Sequence, residues 1–499
     1  MEKKNIKVDS TNPSIARLDA ETGGKPITII GNEKIRDGFD ELCIQQAVNS
    51  RKAPGVDEVV LNPDAHAGYG APVGCAMSSR THLYPGPVGF DIKCSMSLLQ
   101  LDVPKEEIAD KKTRRAIINA ICERIPTGMG KGGRHVSKAR EVDDELMDQV
   151  VTAGASHYVL DNLGIPTEWA QRCEDSRHGS ELDDRMGWDL LEYWEYLYET
   201  DLYNKLKTKF NQLGSLGGGN HFLEANVVSL VGEDATSALA HGTFGLKDGH
   251  VATLTHCGSR GFGHVLADKH FKKLEDHFKK WGIPFPGNDK QLVYAPVKSD
   301  EGQEYLADMS LGANFATVNH MLINALVLEA FQEVLPGTTG NLVYYISHNI
   351  ARQEIIDNKP TWVHRKGATR AFPANHHALK STPFYLTGHP ILLPGNPAEG
   401  SVVMVAQDGA KDALYSVNHG AGRALGRKQA FRVLDQAETD KKLEDLDIMT
   451  NCRQYPLDES PDAYKDFNEV ISSVEEANLA KTIAKLSPSG GFVIKDSES

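Results

Sequence analysis

The sequence predicts an α+β fold, and three observations predict it. Strand-like runs end repeatedly in polar, glycine-rich segments, several of which feed a helical pattern. Residues 311–335 (LGANFATVNHMLINALVLEAFQEVL) carry the apolar spacing of a long buried helix. No internal repeat or low-complexity linker divides the chain, so one large interleaved domain over residues 1–499 fits better than a string of separate units. With 499 residues, 40% hydrophobic and 24% charged, the chain has ample material for a large core.

Taken in order, VDEVVLNPDAHAGYGAPVG reads as a strand and then a loop, and SLLQLDV as a strand. Residues 136–210 are acidic, rich in Trp and Tyr and helical in pattern (WDLLEYWEYLYETDLYNKLKTKF), a helical elaboration of the same domain. HVATLTHCGSRGFGHVLADKHFKKLEDHFKKW reads as strand, Gly/Ser loop and amphipathic helix; NLVYYISHNIARQEIID as a strand running into a short helix. YSVNHGAGRALGRKQAFRVLD repeats the strand-to-helix layout. Histidines fall at these corners, where loops on a rigid scaffold present reactive groups.

The start of the chain, MEKKNIKVDSTNPSIARLDAETGG, is polar and lacks the apolar core of a signal peptide. No uninterrupted apolar run reaches membrane-spanning length, so no membrane partner is expected. The seven cysteines (Cys43, Cys75, Cys94, Cys122, Cys173, Cys257 and Cys452) are scattered, odd in number and form no CxxC pair. That argues against a disulfide framework and for a reducing, cytoplasmic setting. A formal charge of −14 argues mildly against broad nucleic-acid binding. Two basic stretches, His364 to Arg370 (HRKGATR) and Gly422 to Arg432 (GRALGRKQAFR), could still line a local channel.

The chemistry-bearing residues lie in the loops. Asp91 and Cys94 in GPVGFDIKCSM, His221 in GGGNHFLE, His256 in LTHCGSRG and His348 in YISHNIAR offer carboxylate, thiolate and imidazole, a set that can hold Zn²⁺ or Mn²⁺. Residues three apart on a straight strand point to opposite faces, so Asp91 and Cys94 need a bend after Phe90 to share a site. Each alone is equally what a core cysteine or a solvated loop histidine looks like; spacing does not show convergence. His419 in SVNHGAGR can attack phosphorus, with Gly420 and a following helix N-terminus to hold phosphate oxygens, or it stands by in a helix-capping turn. The glycines before Asn220 allow close backbone approach, and Glu224 could accept two hydrogen bonds from a guanine edge; the alternative is a flexible turn before a strand. HRKGATRAFP suits phosphate, or is a solvated basic loop.

Together, NPDAHAGYGAPVG, GPVGFDIKC, QLGSLGGGNHFLE, HCGSRGFGH, SHNIAR, VHRKGATRAFP, NHGAGR and the terminal GFVIK, in this order from about Leu61 to Lys495, resemble the RtcB family of GTP-dependent RNA ligases. The resemblance implies central mixed β-sheets surrounded by helices, and a site for two Mn²⁺ ions. Cys94 would bridge them, with His256 and His348 on one ion and Asp91 and His221 on the other. His419 would accept GMP from GTP. Asn220 and Arg423 would meet phosphate or ribose, Glu224 and Lys495 would read guanine, and Phe222 would pack nearby. The family's serine-bearing loop is here LLPGNPAEGS, with Asn396 in place of the first serine and Ser401 as the second. The implied reaction joins an RNA 3′-phosphate or 2′,3′-cyclic phosphate to a 5′-hydroxyl through histidine–GMP and RNA–ppG, with an archease-like activator as a candidate partner. Two other readings keep parts of this set: GMP capping or cyclic-phosphate hydrolysis without sealing, and a non-catalytic RNA-end binder.

Overall fold

Two twisted sheets meet edge to edge, and the candidate residues gather where they meet. The computed structural model describes residues 5–21, 24–128, 140, 142–179, 182 and 189–496. One sheet runs in the order Ile6–Val8, Ile15–Leu18, Ile27–Ile30, Val56–His66, Val73–Ser79, Lys359–Lys366 and Asn349–Ile356, with a single parallel pair, Ile27–Ile30 beside Val56–His66. The other runs Gly340–Ser347, Ser95–Pro104, His250–Cys257, Phe222–Leu230, Ala480–Ile494, Gly400–Ala406 and Pro390–Asn396, antiparallel throughout, with Met449–Thr450 added in parallel to Ala480–Ile494. The result is the α+β architecture expected.

Asp300–Val334 is the long helix, and it begins eleven residues earlier than its apolar core because Ser299 caps it and Asp300 and Glu301 favour its N-terminal dipole. By length and composition it could cross a membrane, yet 94% of its most apolar window is buried against the protein. It packs against Arg260–Trp281, Lys111–Arg124 and Asp144–Ala153. Within 136–210, the described residues form the helices Asp144–Ala153, His157–Asn162, Leu190–Leu197 and Asp201–Lys207, the 3₁₀ helix Thr167–Arg172 and their connections; residues 136–139, 141, 180–181 and 183–188 lie outside the described residues.

One expected element differs. Asn349–Ile356 is a strand, not a short helix, and pairs residue for residue with Lys359–Lys366. The cause is the turn between them. Asp357 (φ 50°) and Asn358 (φ 60°) both take the left-handed conformation that a two-residue hairpin demands. His348 is therefore the single residue by which the chain leaves one sheet and enters the other.

Candidate active site

Register brings the sulfur and the imidazoles together. Met96 lies opposite His256, His256 opposite Phe222, and Ser95 opposite Ser347. Cys94, His221, His256 and His348 thus sit at one end of four adjacent strands. The bend required after Phe90 is present: Cys94 N–H donates to Asp91 O at 3.1 Å, and Lys93 takes a left-handed φ of 53°. The fully buried Lys93 ammonium pins this turn, donating to Thr317 Oγ1 at 2.7 Å and to Asp175 O at 2.8 Å, with His178 Nε2 at 2.6 Å. The helical elaboration thereby supports the turn that carries Asp91 and Cys94.

Two groups share the sulfur. Cys94 Sγ lies 3.2 Å from His256 Nε2, which lies 3.2 Å from His348 Nε2. It also lies 3.5 Å from His221 Nε2, which lies 2.9 Å from Asp91 Oδ2. Each trio converges closely enough to hold one cation. Burial, then neighbouring imidazoles, pushes His256 and His348 well below the ordinary histidine range, so both are neutral, as metal ligands are. Burial and then Asp91 push the Cys94 thiol up, a cost that a bound cation reverses. Asp91 Oδ1 is buried without a hydrogen-bond partner. Converging lone pairs and an orphaned carboxylate oxygen fit a pair of divalent ions.

His419 follows the strand Ser416–Asn418, and its ring centroid lies 4.6 Å from that of His348 and 6.4 Å from that of His256. Its Nδ1 faces two acceptors, Asp64 Oδ2 at 2.8 Å and Gly367 O at 2.9 Å, so Nδ1 carries the proton and Nε2 keeps a free lone pair. Gly367 is required there: its φ is +62°, and a Cβ would come within 2.5 Å of Val73 and 3.0 Å of the His419 ring. The sequence did not reveal Asp64 as this partner, although it stands inside NPDAHAGYG, because 355 positions separate the two. The helix after His419 starts only at Arg427, so the backbone from Gly420 to Gly426 borders the cavity together with the helix N-terminus at Gly426 and Arg427.

That cavity, about 650 Å³, is lined by Asp91, Cys94, Asn220, His256, His348 and His419, with Arg423 and Arg427 at its other side. Asn220 also steadies His256, whose Nδ1 donates to the Asn220 carbonyl at 3.1 Å. A narrow cleft adjoins it, sharing Phe222, Pro394, Gly395 and Tyr464, and adds Glu224, Asn396, Ser401, Glu459 and Lys495. Ser401 Oγ donates to Glu224 at 2.9 Å; burial pushes the Glu224 carboxyl up to about 7 despite that bond. Lys495 Nζ donates to Glu459 at 2.8 Å, and the same buried carboxylate takes Tyr464 Oη at 2.6 Å and the Arg423 guanidinium. Asn396 lines the cleft but spends its amide on its own loop, accepting from Ala398 N and Glu399 N at 3.0 Å each and donating to Glu399. Glu459 carries no signal in the sequence, because Arg423 and Lys495 each lie 36 positions from it.

The stretch HRKGATR is a correction. It is not a solvated loop: Arg365 pairs with Glu354, Arg370 with Glu174 and Asp175, and Lys366 Nζ donates to the backbone carbonyls of Tyr69, Ala71 and Gly86. All three cations are buried. Burial draws the Lys366 ammonium down to about 7. Both basic stretches border the cavity, the first through Lys366 and Gly367 and the second through Arg423 and Arg427.

Comparison with known proteins agrees in extent with this arrangement. The family described as "RtcB: tRNA-splicing ligase RtcB" matches residues 46–496. The chain is 33% identical over 467 residues to the tRNA-splicing ligase RtcB of Thermococcus kodakarensis, covering 90% of each chain. It is 34% identical over 480 residues to that of Nanoarchaeum equitans (93% of this chain, 94% of the relative). It is 33% identical over 462 residues to the RNA-splicing ligase RtcB of Mycobacterium tuberculosis (89% and 99%). With a family match across nearly its whole length and a shared sulfur between two trios that could each hold a metal ion, this chain belongs to the RtcB family.

Proposed function

We propose that the protein is an RNA ligase that uses GTP and two Mn²⁺ ions to join 3′-phosphate or 2′,3′-cyclic phosphate ends to 5′-hydroxyl ends. One observation carries the reading: His419 is held with its Nδ1 protonated, its ring against the Cys94, His256 and His348 trio. A neutral imidazole with a free Nε2 is a nucleophile for phosphorus. Its attack on the α-phosphorus of GTP forms the N–P bond and releases pyrophosphate. Asp64 then stabilises the positive charge that the substituted ring acquires. GMP passes to the RNA 3′-phosphate, giving RNA–ppG, and attack by a 5′-hydroxyl seals the strand and releases GMP. Water first opens a cyclic phosphate end.

Asp91, Cys94, His221, His256 and His348 would hold the two ions, which when bound offset phosphate charge and lower the pKa of a bound hydroxyl or water. Arg423 and Arg427 offer cationic side chains on the cavity wall for phosphates. In the cleft, the ionised Glu224 suits the N1–H and N2–H₂ edge of guanine, and Lys495 keeps donors beyond the one given to Glu459. The thiolate chemistry suits a reducing, cytoplasmic compartment.

The test uses GTP labelled at the α-phosphorus with Mn²⁺, with and without an archease-like activator. An acid-labile label is expected on the unaltered protein and none on His419→Ala, together with joining of 3′-phosphate and 5′-hydroxyl RNAs. Label without joining supports the capping reading instead, and neither label nor RNA processing supports an RNA-end binder.

A further inference from the structure

Asp64 serves a second imidazole. Its carboxylate takes Nδ1 of His419, and its backbone carbonyl takes Nδ1 of His66 at 2.8 Å. Both rings are therefore fixed in the same tautomer, with the proton on Nδ1 and a bare lone pair on Nε2. His66 lines the same cavity as His419, is part-buried, and its Nε2 meets no hydrogen-bonding partner among the described residues.

The segment that carries His66 is tied down on every side. Lys465 Nζ donates to Pro63 O at 3.0 Å and to Ala65 O at 2.7 Å. Ala67 N donates to Asp40 at 3.2 Å, and Gln46 exchanges two hydrogen bonds with the backbone of Gly68 at 3.0 and 2.6 Å. A rigid frame that leaves one acceptor open towards a cavity is how a working group is presented. Burial holds the His66 imidazole down at about 4, so it is neutral and has no proton to offer at Nε2.

What can such a nitrogen meet? It accepts only. Phosphate and pyrophosphate oxygens are acceptors too, so they gain nothing from it. The partners in the proposed reaction that bring a donor and must lose its proton are hydroxyl nucleophiles: the RNA 5′-hydroxyl in sealing, and water in opening a cyclic phosphate. We infer that His66 Nε2 is the proton acceptor for the RNA 5′-hydroxyl in the sealing step, an inference that rests on the ligase reading above. The 5′-oxygen forms its bond to the phosphorus of RNA–ppG, the bond from that phosphorus to GMP breaks, and GMP leaves as its monophosphate anion. The hydroxyl proton moves to His66 Nε2 and from there to water. Negative charge on the bound phosphates favours the imidazolium once it forms.

The experiment separates the steps on the full chain with His66→Gln and His66→Asn. Both keep a polar side chain without an imidazole's basicity. Labelling by GTP and transfer to an RNA 3′-phosphate are expected within about threefold of the unaltered protein, while sealing of purified RNA–ppG to a 5′-hydroxyl RNA slows by about 100-fold or more. Free imidazole is expected to restore part of the sealing rate in His66→Gly. Opening of cyclic phosphate ends is measured in a separate arm. Sealing within threefold of the unaltered protein, equal loss at every step, or loss confined to cyclic-phosphate opening each overturns the inference while leaving the ligase reading intact. Absence of label on the unaltered protein sinks both.

Discussion

The two ends of the cavity are built on opposite electrostatic plans. At the end with Cys94, the donor atoms of each trio lie within 4.8 Å of one another, and Asp91 Oδ1 is buried without a hydrogen-bond partner. At the end with Lys495, the buried cations already have an anion: Glu459 takes Lys495, Arg423 and Tyr464 together. The cleft there measures only about 30 Å³, room for a couple of waters rather than a purine. The first end has a donor set that could hold a cation. The second is self-neutralised, and a base must part its walls to enter. Substitutions at the first should therefore remove function and spare the fold, whereas substitutions at the second should cost stability.

The largest effect is expected at Cys94, because one sulfur serves both trios. Cys94→Ala should lose bound manganese, measured by metal analysis after desalting, and labelling by GTP should fall about 1,000-fold or more. His348→Ala touches only one trio and should keep part of the metal. Undiminished metal in Cys94→Ala would refute the shared-sulfur arrangement. Next comes Asp64→Asn, which can present an amide donor to His419 Nδ1 and so disfavour the reactive tautomer. Labelling should slow about 100-fold or more with metal content and unfolding midpoint unchanged. A parallel loss of metal would show that Asp64 shapes the whole centre and would blur the contrast between the ends.

At the other end, Glu459→Gln keeps hydrogen-bonding capacity but removes the anion shared by Lys495 and Arg423, which are 2% and 14% exposed. Leaving those cations uncompensated should lower stability by about 3 kcal/mol in urea unfolding. GTP should recover part of the loss, since a ligand that binds only the folded state stabilises it. If Glu459→Gln unfolds at the same urea concentration as the unaltered protein, the two ends do not differ as argued.

The same contrast governs what the sequence could tell. The convergence of Asp91, Cys94, His221, His256 and His348 was legible because Asp, Cys and His have few other reasons to recur at loop corners in the family's order, and the bend at Asp91 to Cys94 followed from strand geometry alone. The orienting groups were not. Asp64, Gly367 and Glu459 act through partners up to hundreds of positions away, and their residue types are common in loops. The two basic stretches look alike in sequence, yet in HRKGATR both arginines lie buried against Glu354, Glu174 and Asp175 and only Lys366 and Gly367 border the cavity, whereas Arg423 and Arg427 both face it. Charge density does not reveal where the counter-charges lie. The strand Asn349–Ile356 was mistaken for a helix because IARQEII suits either state, and the decision was made by Asp357 and Asn358 just beyond it.

The smallest expected effect is a pH dependence confined to the base cleft. Burial raises the Glu224 carboxyl to about 7, above the usual glutamate range. Below that pH the group holds its proton and presents at most one good acceptor to a guanine edge; above it, the carboxylate presents two. GTP affinity should therefore rise with pH, by about tenfold between pH 6 and pH 8, as the ionised fraction climbs from about a tenth to about nine tenths. Calorimetric titration of GTP into the metal-loaded His419→Ala protein reads this without turnover. Glu224→Gln cannot ionise and should show a weak, flat profile. Because the metal ligands are common to both titrations and His419 is absent from both, a pH slope that survives in Glu224→Gln would assign the ionisation to the metal end, and a flat profile in the unaltered cleft would mean that Ser401 alone suffices to keep Glu224 charged.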